Sequence, residues 1–174
     1  MKNIAAQFRK WALRLVDADE GYEWGKENPY GADCSGTVCY PLIRMKYFIR
    51  TDADELYRKI YTRLVKEKDE LDLDRILAVF YMMKKSWKKL DGTIMSAKTI
   101  RHVTPVIGRY CVVDADWKRD QIIIKTAKAV RLELEKVGAE AIWRELNIQN
   151  AKKYSGILFY NPDKRLLELL NDSD

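Results

Sequence analysis

Between residues 4 and 16 the apolar positions Ile4, Phe8, Trp11, Ala12, Leu15 and Val16 recur at the spacing of a helix with one buried face. The stretch from Gly21 to Gly36 loses that rhythm. It sets Gly21, Gly25, Pro29, Gly31 and Gly36 among Tyr22, Trp24 and Tyr30, a glycine-punctuated loop in which backbone and rings crowd together. The apolar run Thr37 to Met45 predicts a buried helix that Pro41 kinks or ends. Asp52 to Lys68 predicts another helix, with Leu56, Ile60, Tyr61, Leu64 and Val65 as its apolar set and Thr51 or Asp52 as its cap. The short run Arg75 to Met83 suits a buried strand in length, although its Leu, Ala and Met residues also suit a helix.

Ile100 to Ile107 and Tyr110 to Val113 predict a hairpin turning at Gly108-Arg109, and Gln121 to Lys125 a further strand. Ala127 to Leu146 carries Val130, Leu134, Val137, Ala141 and Ile142 on one helical face and predicts a long helix, weakened by Gly138. Ile157 to Tyr160 reads as a short strand or turn, and Asp163 to Leu170 as a closing helix. The pattern predicts an α+β chain, a small antiparallel sheet packed against helices. No linker or repeat divides it, so residues 1–174 are read as one domain.

Composition narrows the classes. No apolar run approaches the roughly 20 residues of a membrane span. The N-terminus alternates apolar and charged residues and lacks the apolar core of a secretory signal, so the chain is expected to be made and folded in the cytoplasm. Its net charge of +6 favours polyanions in general, but no recognition motif accompanies it, and nucleic acid is not an expected partner. The three cysteines, Cys34, Cys39 and Cys111, and the lone His102 have no metal-ligand spacing. Neither a zinc site nor a disulfide framework is expected. One thiol and one imidazole are, however, the minimum kit of a cysteine hydrolase.

Cys34 precedes an apolar helix. At a helix N-terminus the unpaired N–H groups and the dipole favour thiolate, and the same N–H groups point at a developing oxyanion. The base must be an imidazole, and only His102 supplies one. Alternation sets His102, Thr104 and Val106 on one strand face and Tyr110, Val112 and Asp114 on the other arm's face. A register centred on Gly108-Arg109 brings Asp114 nearly opposite His102, where a carboxylate fixes the imidazole tautomer.

Two blocks carry a family resemblance. Gly21-Tyr22-Glu23-Trp24-Gly25, with Asn28-Pro29-Tyr30-Gly31-Ala32-Asp33-Cys34-Ser35-Gly36-Thr37-Val38, resembles the nucleophile motif of the NlpC/P60 family. His102-Val103-Thr104-Pro105-Val106-Ile107-Gly108-Arg109-Tyr110-Cys111-Val112-Val113-Asp114-Ala115 resembles its second block, where the third catalytic residue likewise stands 12 positions after the histidine. The resemblance implies a papain-like α+β cysteine peptidase that cuts peptidoglycan stem peptides and needs no cofactor and no metal. It implies Cys34 as nucleophile, His102 as base and Asp114 as orienting residue. Tyr22 and Trp24 would line the substrate, Tyr22 on the oxyanion side, and Asp33 and Ser35 would hold its amine end. Small size and no signal imply a lytic enzyme of phage or prophage type, an endolysin released to, or delivered onto, the cell wall. An amidase or acyltransferase on the same fold, or a non-catalytic wall-binding or virion module, stays open. The sequence also departs from the family. The third residue there is more often His, Asn or Gln, and Pro105 predicts an edge or bulged strand. Asp74 to Tyr81 stands in for the usual strand before the histidine, Lys84 to Thr99 is an insertion, and the segment after Ala115 is longer than the family core.

Overall fold

The structure, a computed structural model, describes residues 3–17, 21–23, 26–28, 31–66, 69–70 and 72–171. In chain order it runs α1 (Ile4–Asp17), β1 (Glu27–Asn28), β2 (Gly31–Ala32), α2 (Cys34–Arg44), α3 (Ala53–Glu55), β3 (Arg63–Leu64), β4 (Leu77–Met83), β5 (Trp87–Lys88), β6 (Ile94–Met95), β7 (Ile100–Gly108), β8 (Cys111–Asp116), β9 (Gln121–Thr126), α4 (Ala127–Glu135), β10 (Ala139–Glu145), α5 (Ile148–Tyr154) and α6 (Lys164–Asn171). The main sheet has six strands in the order β3-β10-β4-β7-β8-β9, and every adjacent pair is antiparallel. The architecture is α+β, as the sequence predicts, with a larger sheet. No helix among the described residues is long and apolar enough to cross a membrane.

β4 is the sheet's central apolar strand and shows how the layers form. Its even residues Ala78 and Phe80 pack with Val38 and Leu42 of α2 and with Phe8 of α1. Its odd residues Leu77, Val79, Tyr81 and Met83 pack with Val130 of α4. A strand buried on both faces needs no polar alternation, which is why this run carries no periodicity of its own. α1 and α2 therefore cover one face, and α4 covers the other.

Three expectations change, and a fourth is narrowed to one of its alternatives. The helix predicted over Asp52–Lys68 is only α3 and a π-helical turn at Leu56–Ile60. Later segments capture the carbonyls that would continue it. Asn150 Nδ2 donates to Lys59 O at 2.8 Å, Asn147 N to Ile60 O at 2.9 Å, and Arg144 Nη1 to Thr62 O at 3.2 Å. The helix predicted over Ala127–Leu146 stops at Glu135. Gly138 takes a positive φ of 88°, and residues 139–145 pair along the whole of β4, from Ala139 with Met83 to Glu145 with Leu77. Pro41 neither ends nor breaks α2, which continues to Arg44 with the Met45 N–H bonded to the Pro41 carbonyl at 3.1 Å. Pro105 lies in an internal strand, paired with Ala78 of β4, and the pairing of that strand with β8 runs from Val106 to Gly108. That strand is bulged, not an edge. Within the insertion Lys84–Thr99, β5 and β6 form a small hairpin.

Candidate active site

The start of α2 is fixed by a buried polar cluster. Asp33 is extended (φ −91°, ψ −176°), and its Oδ1 accepts from Gly36 N at 2.7 Å and from Ser35 Oγ at 2.8 Å. These bonds satisfy a donor that the helix leaves unpaired. The Asp33 N–H in turn donates to Lys26 O at 3.0 Å, which pins the preceding loop. Gly36 is required there, since a Cβ on it would lie 1.9 Å from that Lys26 oxygen. Behind the cap sits Arg50. Its Nε meets Glu27 Oε2 at 2.7 Å, Nη2 meets Asp33 Oδ2 at 3.4 Å, and Nη1 donates to Ser35 Oγ at 3.1 Å. Glu27 is fully buried and also accepts from Asp163 N at 2.6 Å. Burial pushes the Glu27 carboxyl up, and Arg50 and the Asp163 N–H only partly pull it back.

His102 comes from β7, where it pairs with Tyr81 of β4, the two rings 5.7 Å apart. The hairpin register differs by one step from the sequence expectation. Val106 pairs with Val112 and Gly108 with Cys111 across a bulge, so the turn is Arg109-Tyr110, with Tyr110 at φ 62°. Counting from Val106 and Val112, Asp114 falls level with Thr104 and lies diagonal to His102. The diagonal is within side-chain reach, and His102 Nε2 donates to Asp114 Oδ1 at 2.7 Å. With Nε2 engaged, Nδ1 is the ring nitrogen left for the Cys34 side chain, which lines the same cleft. Burial opposes the imidazolium. The hydrogen bonds to Asp114 and Cys34, with their charges, outweigh it and hold His102 up at about 10.

Asp114 is buried and doubly held. Its second oxygen meets Lys125 Nζ at 2.7 Å, and the same ammonium reaches Asp116 Oδ2 at 2.9 Å and Glu133 Oε2 at 3.3 Å. Burial alone would raise the Asp114 carboxyl, but His102 and Lys125 bring it below its usual range. Carboxylate oxygens of Asp114, Asp116 and Glu133 lie within 4.8 Å of one another, the spacing of a cation site. Lys125 Nζ bonds all three and serves as their cation. Sequence reasoning missed Lys125. The β8–β9 register pairs Val112 with Lys125 and Asp114 with Ile123, so alternation along the expected strand would have put Lys125 on the face of Asp114.

Cys34, His102, Asp114 and Tyr22 line one cleft of about 130 Å³. Its outer walls are Trp87, Lys88, Lys89 and Leu90 of the β5–β6 hairpin, Trp117 and Lys118 after β8, and Val130, Glu133, Leu134 and Val137 on and after α4. Tyr22 is half-buried and bridges to Ala32. Burial and the charges of Cys34 and Asp33 push its phenol up, so it stays a neutral O–H donor. Asp33 and Ser35 are buried, engaged with the helix cap and Arg50, and absent from the cleft wall. Trp24 lies outside the described residues. Cys39 is fully buried, which pushes its thiol up to about 11.

No protein-family model matches the chain, and no curated protein does. Among solved structures, the fold is similar to that of NlpC2 from Trichomonas vaginalis, with a TM-score of 0.53 and 12% sequence identity. The likeness covers 74% of this chain and 44% of that one, so this chain spans less than half the length of the neighbour. What the two share at that identity is the fold: an α+β chain whose mostly antiparallel sheet packs against helices, compatible with a papain-like arrangement.

Proposed function

We propose that this protein is a cysteine hydrolase of the NlpC/P60 type that cuts peptide bonds in the stem peptides of bacterial peptidoglycan. The observation that carries this reading is the convergence of three groups in one cleft. Cys34 and His102 line the same cleft, and His102 Nε2 donates to the Asp114 carboxylate at 2.7 Å. That is the geometric logic of nucleophile, base and orienting group. The NlpC2 likeness supports the fold half of the reading; the peptidoglycan half rests on the sequence resemblance.

The chemistry follows from the positions. The Cys34 thiolate attacks the scissile carbonyl carbon, and the carbonyl electrons move onto oxygen. The N–H groups of Cys34 and Ser35, at the start of α2, have no partner within the helix, whereas that of Gly36 is taken by Asp33; with the Tyr22 O–H they are the donors that hold the oxyanion. Collapse breaks the C–N bond as His102⁺ gives its proton to the leaving amine, which leaves a thioester on Cys34. Water then attacks the thioester while His102 takes its proton, and the carboxylic acid departs. Asp114 keeps the imidazole in the tautomer both steps need. A wall of Leu90, Trp117, Val130, Leu134 and Val137 favours acyl transfer from an apolar donor as a second reading.

Purified peptidoglycan incubated with the protein tests both. Mass spectrometry of the fragments is expected to show new amino termini within the stem peptide. Cys34→Ser and His102→Ala are expected to abolish them while leaving the circular-dichroism spectrum unchanged. Full activity in either variant refutes the triad, and inert peptidoglycan with turnover of an acyl ester selects the second reading.

A further inference from the structure

Arg101 stands directly before His102, and neighbouring residues in a regular strand point to opposite faces. Here they do not. β4 pairs Tyr81 with His102 but Met82 with Ile100, which leaves Arg101 as the extra residue of a bulge. Ile100 and Val103 pack with Phe80 toward α2, whereas Arg101 and His102 both line the cleft that holds Cys34. Bulges re-aim a side chain in this way beside functional sites.

The side chain so placed is supported from beneath. The Arg101 guanidinium lies 5.6 Å from the centroid of the Trp87 ring. The indole is itself fixed, its Nε1 donating to Thr99 Oγ1 at 2.8 Å, and that buried hydroxyl donating to Ser96 O at 2.7 Å. A guanidinium held over an aromatic ring by cation–π attraction keeps its N–H edge available for paired hydrogen bonds. No carboxylate among the described residues takes that edge. Asp114, Asp116 and Glu133 line the same cleft, but they are bound to Lys125. Lys88 and Lys118 add positive charge at the rim.

We propose that Arg101, held over the Trp87 ring, is the anchor of a carboxylate-binding subsite beside Cys34, which selects substrates bearing a free carboxylate close to the bond attacked. The subsite rests on the reading of Cys34 as nucleophile, and it assigns a recognition role to the β5–β6 hairpin. A planar, two-pronged contact with a carboxylate is the chemistry for which arginine is suited and lysine is not.

The test uses alkylating probes, so it needs no natural substrate. N-chloroacetylglycine and N-chloroacetyl-β-alanine, each as free acid and as primary amide, are reacted with the whole protein. Labelling of the Cys34 peptide is followed by mass spectrometry, and rates are divided by those of 2-mercaptoethanol with the same probes. The expected result is an acid-over-amide preference of about tenfold with at least one probe length, the size of one charge-assisted paired contact. The ratio is expected to fall to about one in Arg101→Met and to stay intermediate in Arg101→Lys, by the same contact. Equal acid and amide rates in the wild type overturn the subsite, as does a preference unchanged in Arg101→Met. Because the readout is a ratio, it holds whatever the absolute rates. The catalytic reading fails separately, if His102→Ala leaves both rates untouched.

Discussion

Arg50→Met tests whether the nucleophile's helix is held by charge. The guanidinium faces Glu27, fully buried, and Asp33, 6% exposed. Removing one partner of a buried ion pair costs about 3–5 kcal/mol, because the other charge is left uncompensated. Two features place this case at the lower end. Asp33 keeps its bonds from Gly36 N and Ser35 Oγ, and Glu27 keeps the Asp163 N–H. Burial also already pushes Glu27 up, so it can take a proton when Arg50 goes. The expected loss is about 3 kcal/mol at pH 7, or about 6–12 °C in Tm for a chain of this length. Urea unfolding followed by tryptophan fluorescence measures it. The pH dependence has a definite sign. A carboxyl whose folded pKa is raised binds its proton more tightly in the native state. Its contribution is favourable at low pH and turns against the fold as pH rises. Without Arg50 the raise grows, so the deficit against wild type is expected to narrow as pH falls from 7 towards about 5. Adding Glu27→Gln is expected to recover about 1 kcal/mol, since it removes one stranded charge. A variant within 1 kcal/mol of wild type, or a deficit that widens in acid, refutes this account.

Gly36→Ala forces a methyl to 1.9 Å from the Lys26 carbonyl oxygen; it is expected to cost about 3 kcal/mol in a urea melt, and a wild-type melt rules the clash out. Lys125→Met takes the cation from Asp114 and Asp116. Asp114, no longer held low by that ammonium, is then expected to lose its carboxylate sooner on the acid side, so that Cys34 alkylation falls off earlier in acid than in wild type, with Lys125→Arg closer to wild type; an unchanged acid-side profile refutes the role. His102 is held up at about 10, so its contribution to stability is complete below its unfolded value of about 6.5 and is lost as pH rises through about 10. Wild-type unfolding free energy is expected to fall over that window more steeply than that of His102→Gln, and parallel curves count against it.

Much of the site was legible because its signals are local. The glycine-rich loop before Cys34, the apolar run after it and the strand–turn–strand around Gly108 each lie within a few residues of sequence. The hairpin turn was one residue off because its bulge is settled by packing, not by turn residues. β10 was not legible. Ala139 to Glu145 fits a helical face as well as a strand, and only β4, far away in sequence, decides between them. The helix after Asp52 failed for the same reason, since Asn147 and Asn150 take its carbonyls. Arg101 reads as a strand residue facing away from His102 until the bulge is seen. Arg50 and Glu27 are separate in sequence, and nothing local marks them as partners.

The late arrival of β10 has a consequence for the protein's birth. On a ribosome, β7, β8 and β9 can zip up beside β4 as they emerge. The other edge of β4, Leu-Ala-Val-Phe-Tyr-Met-Met, must wait until residues 139–145 have been made. By then Cys34, His102 and Asp114 have all been synthesised. For that interval the nascent chain carries an open, uncharged sheet edge, the kind of surface on which neighbouring chains add strands. Yield of soluble protein is therefore governed by how soon β10 closes that edge, and slower translation just before residue 139 is expected to favour aggregates over the folded molecule.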